Sequence, residues 1–444
     1  MVDKVTTREQ TENSTLTRPA PRIFYGWLIV LGAVIGQFAG MAGRGQVNGV
    51  FLDPMITDLG WTRSEFTLAS SAAFVFGGFA GLIIGPMVDR YGPRPLMLIG
   101  SVGYSGALLL TSQVETLWEF VALQILAGGI GSALVGPLVV NVAVSRWFVI
   151  RRGWALAAGS MGVSLASIVM PLTMTTVVDN SDWRTGYIVL SALVFVPLIL
   201  IAPFMRRSPE DHGLLPDGRI ESASTSAKEQ QALAQIQSDL DNSLTRPEAL
   251  RTTAIWLLIV AFGINIAGLS AMFVHGIPFM TEAGFTRTEA AAAFSVTGVA
   301  NFASKFLWGW GLQRFPGRRL ATAAFASSAT GVLLIVLANR AELMPLLVVA
   351  FLFFGIGFGG TIPISEFLWA NYFGRRYLGA VRSVGMPFTV LFGSLGPIAV
   401  AVYFDATDGY GGAFIGLALV YALAGAAIWT SRRPAKPGVI TVEV

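Results

Sequence analysis

A lysine lies inside a long apolar stretch of this sequence, four residues after an asparagine. Lys305 and Asn301 fall in the run 289–310, where the other residues are mostly alanine, phenylalanine, valine, glycine and tryptophan. Residues four apart share one face of a helix, so an ammonium and an amide would be presented together. A cation inside a membrane-spanning helix costs several kcal/mol of free energy unless it meets water, a partner or a ligand. The pair therefore predicts a site that binds an anion.

A second interpretation of Lys305 is that its side chain extends to the membrane surface and binds no ligand. It precedes Gln313, near the end of the run, by eight residues, or about 12 Å along a helix. A long lysine side chain can bury its stem and place its ammonium among the lipid headgroups. The sequence leaves both a ligand site and a surface-seeking lysine open.

Apolar composition indicates that these residues belong to a membrane protein. Of the 444 residues, 54% are hydrophobic and 13% are charged, whereas a soluble domain has roughly 25% charged residues. The chain contains twelve apolar runs of about the length that spans a bilayer, and they lack the alternation of transmembrane β-strands. The predicted spans are 24–44, 64–88, 94–112, 117–146, 153–178, 184–205, 254–280, 289–310, 318–338, 344–371, 378–403 and 411–431.

Several other classes of site are excluded by what the sequence lacks. It has no cysteine and only two histidines, which excludes disulfides, thiolate metal sites and histidine-rich metal centres. No nucleotide or redox motif is found, and no span carries clustered carboxylates, so we expect neither a cofactor nor an enzyme. The net charge of +4 is no sign of nucleic-acid binding, because the basic residues sort by membrane side.

That sorting predicts the orientation. With a cytoplasmic N-terminus, 23 lysines and arginines fall in cytoplasmic segments and 5 fall outside. Such a bias favours both termini in the cytoplasm. The segment 1–22 is polar and has no cleavable signal pattern, so the first run is expected as a retained span. We expect a multi-pass protein of a bacterial inner membrane.

The chain is expected to contain two similar halves. A shift of 226 residues takes Pro137 to Pro363 and Pro171 to Pro397, at equivalent points of the spans. Parallel repeats of six spans place a substrate site between the halves, near the bilayer midplane. A polar, partly disordered linker separates them. The predicted segments are a tail 1–22, a bundle 23–205, the linker 206–252, a bundle 253–431 and a tail 432–444.

The loop between the second and third spans carries a known pattern. Residues 85–95 read GPMVDRYGPRP, which resembles the G-x-x-x-D-R-x-G-R-R signature of the major facilitator superfamily. The resemblance implies that this cluster latches one conformation against the other. The latch residues would be Gly85, Asp89, Arg90, Gly92 and Arg94. In the second half Gln313 replaces the acid, which predicts a weaker latch there.

Five further motifs narrow the resemblance. They are FYGW at 24–27, NGVFL at 48–52, LGWTRSE at 59–65, DWR at 182–184 and HGIP at 275–278. Together and in this order they resemble the monocarboxylate porter and oxalate–formate antiporter branch. The resemblance implies an all-α membrane protein of the major facilitator fold. Its twelve transmembrane helices would form two six-helix bundles related by a pseudo-twofold axis.

The branch also implies roles for single residues. Its eighth span carries Asp or Asn and, one turn later, an Arg that binds the carboxylate, and these positions fall on Asn301 and Lys305. Porters have a lysine near the end of the first span, which falls on Gln46. Arg44 stands two residues away, about 200° around a helix, so it does not replace that lysine directly.

The remaining charges near the spans have paired interpretations. Arg44 and Arg382 are candidate contacts for the anion, or else charges near the two surfaces. His275, whose unperturbed pKa suits proton exchange near neutrality, is a candidate proton carrier or a hydrogen-bonded interface residue. Glu366 is a candidate proton carrier or an ion-pair partner of Lys305 or Arg382.

The predicted function is secondary active transport of a small organic anion, most simply a monocarboxylate, by alternating access. A monomer in the lipid bilayer would couple transport to protons or exchange one anion for another. Efflux of larger amphipathic compounds is the first alternative, although Gln124 stands where many proton-coupled superfamily members have Arg. The second is a non-transporting membrane sensor on the same fold, for which no output domain is evident.

Overall fold

The chain forms a bundle of antiparallel helices. A computed structural model describes residues 24–42, 45–219 and 227–434, and no strand occurs within these ranges. The first half contains α1 (Gly26–Ala39), α2 (Gly45–Leu59), α3 (Arg63–Tyr91), α4 (Pro93–Thr111), α5 (Leu117–Gln124), α6 (Ser132–Val135), α7 (Pro137–Trp147), α8 (Arg152–Asn180) and α9 (Trp183–Ile201). A linker with α10 (Ala227–Asp241) and α11 (Arg246–Leu250) follows.

The second half repeats the pattern of long helices. It contains α12 (Thr253–Glu282), α13 (Arg287–Gly311), α14 (Gly317–Ala341), α15 (Met344–Phe373), α16 (Leu378–Ser383), α17 (Gly385–Thr407) and α18 (Gly411–Thr430). Among the described residues, nine helical stretches are long and apolar enough to cross a membrane. The pair α1–α2 together with α4 and α13 completes the twelve spans. The predicted twelve-helix fold in two bundles is confirmed.

Helix starts follow from a simple local pattern. A threonine followed three residues later by a glutamate forms a capping box at the start of α3, α5, α11 and α13. In each box the threonine hydroxyl accepts from the main chain while the glutamate binds back to the threonine N–H. Such a cap contributes about 1 kcal/mol to helix stability. At α13 the cap is formed by Thr286 and Glu289, and it fixes where the helix that carries Lys305 begins.

The first span differs from its prediction. It was expected to end at residue 44, with an outer loop up to residue 63. Instead α1 ends at Ala39, and a second helix, α2, occupies Gly45–Leu59. The helix α2 was not predicted because its sequence contains Pro54 and two acidic residues and is only moderately apolar. Proline is tolerated inside helices of membrane proteins when neighbouring groups bind the freed main-chain atoms.

The two halves meet along two helix seams. In one seam α3 packs against α16 and α17, and in the other α8 packs against α13 and α15. The segment that joins the halves lies against one end of the bundle, where Trp147 Nε1 donates to the Arg206 carbonyl oxygen at 3.2 Å. We call this end the linker side. The second seam positions the predicted anion site.

Candidate functional site

Asn301, Lys305 and Gly309 form one stripe of α13, because they are spaced four residues apart. Asn301 Oδ1 accepts a hydrogen bond of 2.8 Å from Ser164 Oγ of α8. A Cβ atom on Gly309 would lie 2.9 Å from the ring of Trp154, also on α8. Lys305 lies between these contacts on the same stripe. Its side of α13 therefore faces the other half of the protein.

The Lys305 side chain is enclosed. It is 1% exposed, and within the described ranges its ammonium has no hydrogen bond and no ion pair. An ammonium that reached the lipid headgroups would be exposed, so this burial argues against the surface interpretation. A buried cation without a partner is costly. An anionic ligand at this position would offset that cost.

Helix α15 holds α13 in position. Gly359 of α15 allows a close approach, because a Cβ atom there would lie 2.6 Å from the Asn301 carbonyl oxygen. Trp308 Nε1 of α13 donates a hydrogen bond of 2.8 Å to the Ile356 carbonyl oxygen. The two contacts restrain the rotation of α13 about its axis. The stripe with Lys305 is therefore built on a rigid pair of helices.

Glu366 and Arg382 form an ion pair, which was one of the two interpretations of Glu366. Both Nε and a terminal nitrogen of Arg382 lie 3.0 Å from Glu366 Oε1. The guanidinium carbon lies 5.2 Å from the centre of the Trp369 ring, within the range of a cation–π contact. A cavity of about 110 Å³ adjoins the pair and is also lined by Thr361 and Thr389. The cavity has a mostly apolar lining with several polar side chains, and it has room for water or a small polar group next to them.

His275 has two partners within its own half. Its Nε2 lies 3.0 Å from the Pro397 carbonyl oxygen, and its Nδ1 lies 3.4 Å from the Tyr410 hydroxyl oxygen. A carbonyl can only accept, so Nε2 carries the hydrogen in this contact. The half-buried ring thereby connects α12 with α17 and the start of α18. This arrangement matches the hydrogen-bonded interface histidine that the sequence left open.

Asp89 joins the two halves on the linker side. Its carboxylate accepts main-chain N–H bonds from Gly379 at 3.0 Å and Ala380 at 2.7 Å, at the start of α16. An acid at a helix N-terminus satisfies free N–H groups and complements the helix dipole. Gly85 allows the approach, because a Cβ atom there would lie 2.3 Å from the Gly379 carbonyl oxygen. These two predicted latch residues contact the opposite half directly.

The arginine partner of Asp89 comes from another helix. Arg146 of α7 forms an ion pair of 2.6 Å with Asp89 and donates to the carbonyl oxygens of Arg375 at 3.2 Å and Arg376 at 3.0 Å. The predicted latch residues Arg90 and Arg94 are exposed instead. Sequence reasoning counted Arg146 only as a basic loop residue, and nothing in its position distinguishes it from exposed neighbours.

Gly92, the remaining predicted latch residue, shapes the loop. Its φ of +79° lies in the region that favours glycine, and Gly92 lies between the end of α3 and the start of α4. A Cβ atom there would lie 2.7 Å from Arg207 Cβ. A cavity of about 560 Å³ opens beside this loop and is lined by Asp89, Arg146 and Arg375 among others. The larger cavity thus belongs to the latch and not to Lys305.

Two predicted residues near the end of the first span cannot be placed at the site. Arg44 lies outside the described residues, and only the helical main chain is described for Gln46. Their roles in anion binding stay predictions. A buried amide pair in the same half was missed: Gln37 Nε2 donates to Asn141 Oδ1 at 3.1 Å, between α1 and α7. The sequence did contain a signal for this pair, because both amide side chains lie inside apolar runs.

All the hydrogen bonds between the halves within the described ranges lie on the linker side or at Asn301. They join Asp89 to Gly379 and Ala380, Arg146 to Arg375 and Arg376, and Ser164 to Asn301. The halves are therefore held together at the linker side and at the stripe of α13. At the opposite ends of the helices, no such bond is found among the same residues.

Two six-helix bundles, joined by contacts of the loop between the second and third spans, define the class as an integral, multi-pass membrane transporter. Residues 33–397 match the Major Facilitator Superfamily, and the chain belongs to that family. The fold agrees, since the solved proton:xylose symporter XylE superposes with a TM-score of 0.70 at 15% identity, over 91% of this chain and 95% of that one.

Relatives that are named for different transported compounds align with part or most of this chain. Monocarboxylate transporter 13 of Rattus norvegicus is 23% identical over 412 residues, which is 91% of this chain and 88% of the relative. The Fujikurins efflux protein of Gibberella fujikuroi is 26% identical over 202 residues. That match spans 44% of this chain and 42% of the efflux protein, less than half of its length. These relatives support the class of transporter, within which the substrate differs.

Proposed function

We propose that this transporter moves a small organic anion, most simply a monocarboxylate, by alternating access. The observation that carries the proposal is the enclosed Lys305, 1% exposed and without a counter-charge among the described residues. It lies on the stripe of α13 that faces α8, where a carboxylate would meet both halves. The match to monocarboxylate transporter 13 over 91% of this chain supports the same substrate class.

Asn301 would be the second contact for the carboxylate. Its Oδ1 is used by Ser164 Oγ, whereas its amide nitrogen has no hydrogen bond within the described ranges. An amide nitrogen donates two hydrogen bonds and suits a carboxylate oxygen. Lysine contributes a point charge and not the two-pronged contact of arginine. The amide would therefore help to orient a ligand that Lys305 alone would hold loosely.

Coupling to protons is assigned to Glu366. A carboxylate that gains a proton loses its charge, and its attraction for Arg382, now 3.0 Å away, falls. Loss of the pair would release Arg382 toward the adjoining cavity. Exchange of one anion for another is the alternative mode, because an enclosed cation without an anion makes the empty transporter reorient slowly. We place the linker side in the cytoplasm, following the excess of basic residues in those segments.

Efflux of larger compounds is the second candidate function. The observation that favours it is the 26% identity to the Fujikurins efflux protein, although the match covers 44% of this chain. An efflux site would accept larger amphipathic molecules and would have less need of an enclosed cation. The class of compound that binds therefore distinguishes anion transport from efflux of larger compounds.

A ligand panel with purified protein distinguishes them. We expect formate, lactate, pyruvate or oxalate to raise the melting temperature, because a ligand that binds only the folded state stabilises it. At a concentration 100 times Kd the gain is about 2.7 kcal/mol. The Lys305→Gln variant should lose this shift. Stabilisation by cationic dyes, with no response to any acid, would favour efflux.

A further inference from the structure

The linker contains a carboxylate that is buried between the two halves. Asp239, in the last turn of α10, is 4% exposed. Its two oxygens lie 3.0 and 3.1 Å from the two terminal nitrogens of Arg152, the first residue of α8. The second oxygen also lies 3.5 Å from Nε of Arg375, in the turn after α15. One linker side chain therefore contacts a buried arginine from each half.

Both arginines make further hydrogen bonds that fix their side chains beside Asp239. Arg152 also donates to the carbonyl oxygens of Phe148 at 3.1 Å and Ser145 at 3.2 Å. Arg375 donates to the Arg146 carbonyl oxygen at 3.2 Å, which itself bridges the halves. Both arginine residues are at least 97% buried. Arg375 also forms an ion pair of 2.5 Å with Glu210 of the linker, whereas Arg152 pairs with Asp239 alone among the described residues. Loss of Asp239 would therefore leave the buried charge of Arg152 uncompensated and remove one of the two carboxylates from Arg375.

The linker is anchored to both halves around Asp239. Asp217 accepts main-chain bonds from Val149 at 2.9 Å and Ile150 at 2.8 Å, in the turn between α7 and α8. After α10, Ser243 Oγ accepts from the Arg376 N–H at 3.2 Å, and the Leu244 N–H donates to the Phe373 carbonyl oxygen at 3.0 Å. Residues on both sides of Asp239 therefore fix the linker to the first half and to the second.

A third cation lies close to this cluster. Burial lowers the pKa of Arg433, just after α18, while the charge of Asp239 acts in the opposite direction and that of Arg152 adds to the decrease. Asp239 is therefore the negative centre of a group of arginines from both halves. Separation of the halves on the linker side would pull Arg152 and Arg375 apart, and Asp239 could keep only one of them.

We propose that Asp239 is a positioning residue of the transport cycle, which stabilises the state closed on the linker side by bridging Arg152 and Arg375. The linker then helps to set the balance between the closed and open states, in addition to connecting the two halves. Release of Asp239 from one arginine accompanies opening on that side. The proposal depends on neither the identity of the substrate nor the role of Lys305.

The full chain is well suited to a direct test, because it contains no cysteine. Spin labels on cysteines at exposed Tyr91 and Phe315 report the distance between the halves on the linker side. Labels at exposed Trp118 and Leu343 report the opposite side. In Asp239→Asn we expect the ratio of closed to open linker-side distances to fall by at least roughly tenfold, since a buried pair is broken. The opposite-side distances should shorten in parallel.

The matched control is Asp241→Asn, the same change two residues further along α10. Asp241 is exposed and accepts hydrogen bonds from Gln237 on its own helix, so the distances should stay as in the wild type. If Asp239→Asn does not fold, Arg152→Lys replaces it, because lysine keeps the charge but loses the two-pronged contact. A folded Asp239→Asn or Arg152→Lys protein with wild-type distances overturns the proposal. An equal shift in Asp241→Asn also overturns it.

Discussion

Lys305→Gln will nearly abolish the uptake of small organic anions into proteoliposomes at concentrations that half-saturate the wild type, and Lys305→Arg will retain part of it. Loss of one partner of a buried charged contact costs about 2–5 kcal/mol of binding free energy. The half-saturating concentration should therefore rise by at least roughly thirtyfold. Arginine keeps the cation but has a different shape, so its activity should be intermediate. Uptake of labelled anion at several concentrations measures both effects.

Folding should survive the same substitution. The Lys305 ammonium has no counter-charge within the described residues, so glutamine removes a buried charge without leaving another one unpaired. The melting temperature should stay level or rise. Lys228→Gln is the matched control, because it makes the same change at an exposed position of α10 and should leave uptake intact. Full uptake in Lys305→Gln would falsify the carboxylate-binding role.

Glu366→Gln will separate proton-driven uptake from anion exchange. Glutamine keeps an oxygen that can accept from Arg382 Nε, now bonded to Glu366 at 3.0 Å, but it cannot bind and release a proton. We expect net uptake driven by an imposed pH gradient to fall to background. Exchange against preloaded internal anion should continue, because it requires no change of protonation. Both modes are measured with the same vesicles and the same labelled substrate.

His275→Gln is the companion variant, because His275 is the other candidate proton carrier. Its ring is held by the Pro397 carbonyl and the Tyr410 hydroxyl within one half, so we expect pH-driven uptake to continue. Loss of pH-driven uptake in His275→Gln, together with its retention in Glu366→Gln, would assign proton transfer to His275 and not to Glu366. Wild-type uptake that ignores the pH gradient and requires preloaded anion would exclude symport altogether.

Lys305 shows what sequence alone could predict. A charge inside an apolar run is rare, so its type and position were enough to single it out, and spacing placed Asn301 on the same face. The contact of Asn301 with Ser164 was beyond prediction, because a serine in a small-residue helix carries no signal of its partner. Whether Lys305 was buried or reached the surface also depended on how α13 faces α8, which one sequence does not specify.

The linker shows where sequence reasoning fails. Asp239 stands in a polar segment in which carboxylates are common, so nothing distinguished the buried residue from exposed Asp241. Arg146, Arg152 and Arg375 were counted as part of the basic excess on one membrane side. Burial of such charges depends on packing between distant segments, and hydropathy records only local composition. The helix α2 was missed for a related reason, since its charges and Pro54 are typical of a loop.

The placement of the enclosed charges in one half has an electrical consequence. Lys305, Glu366 and Arg382 all belong to the second half, and Glu366 with Arg382 forms a neutral pair. If Lys305 holds a monovalent anion and Glu366 keeps its charge, the loaded site would carry no net charge through the membrane field. Without the anion, one positive charge would remain on Lys305, and moving it across the full potential changes the free energy by about 2.3 kcal/mol per 100 mV. Under the proposed mechanism, membrane voltage would therefore act on the return of the empty transporter, while exchange of monovalent anions would be electrically silent.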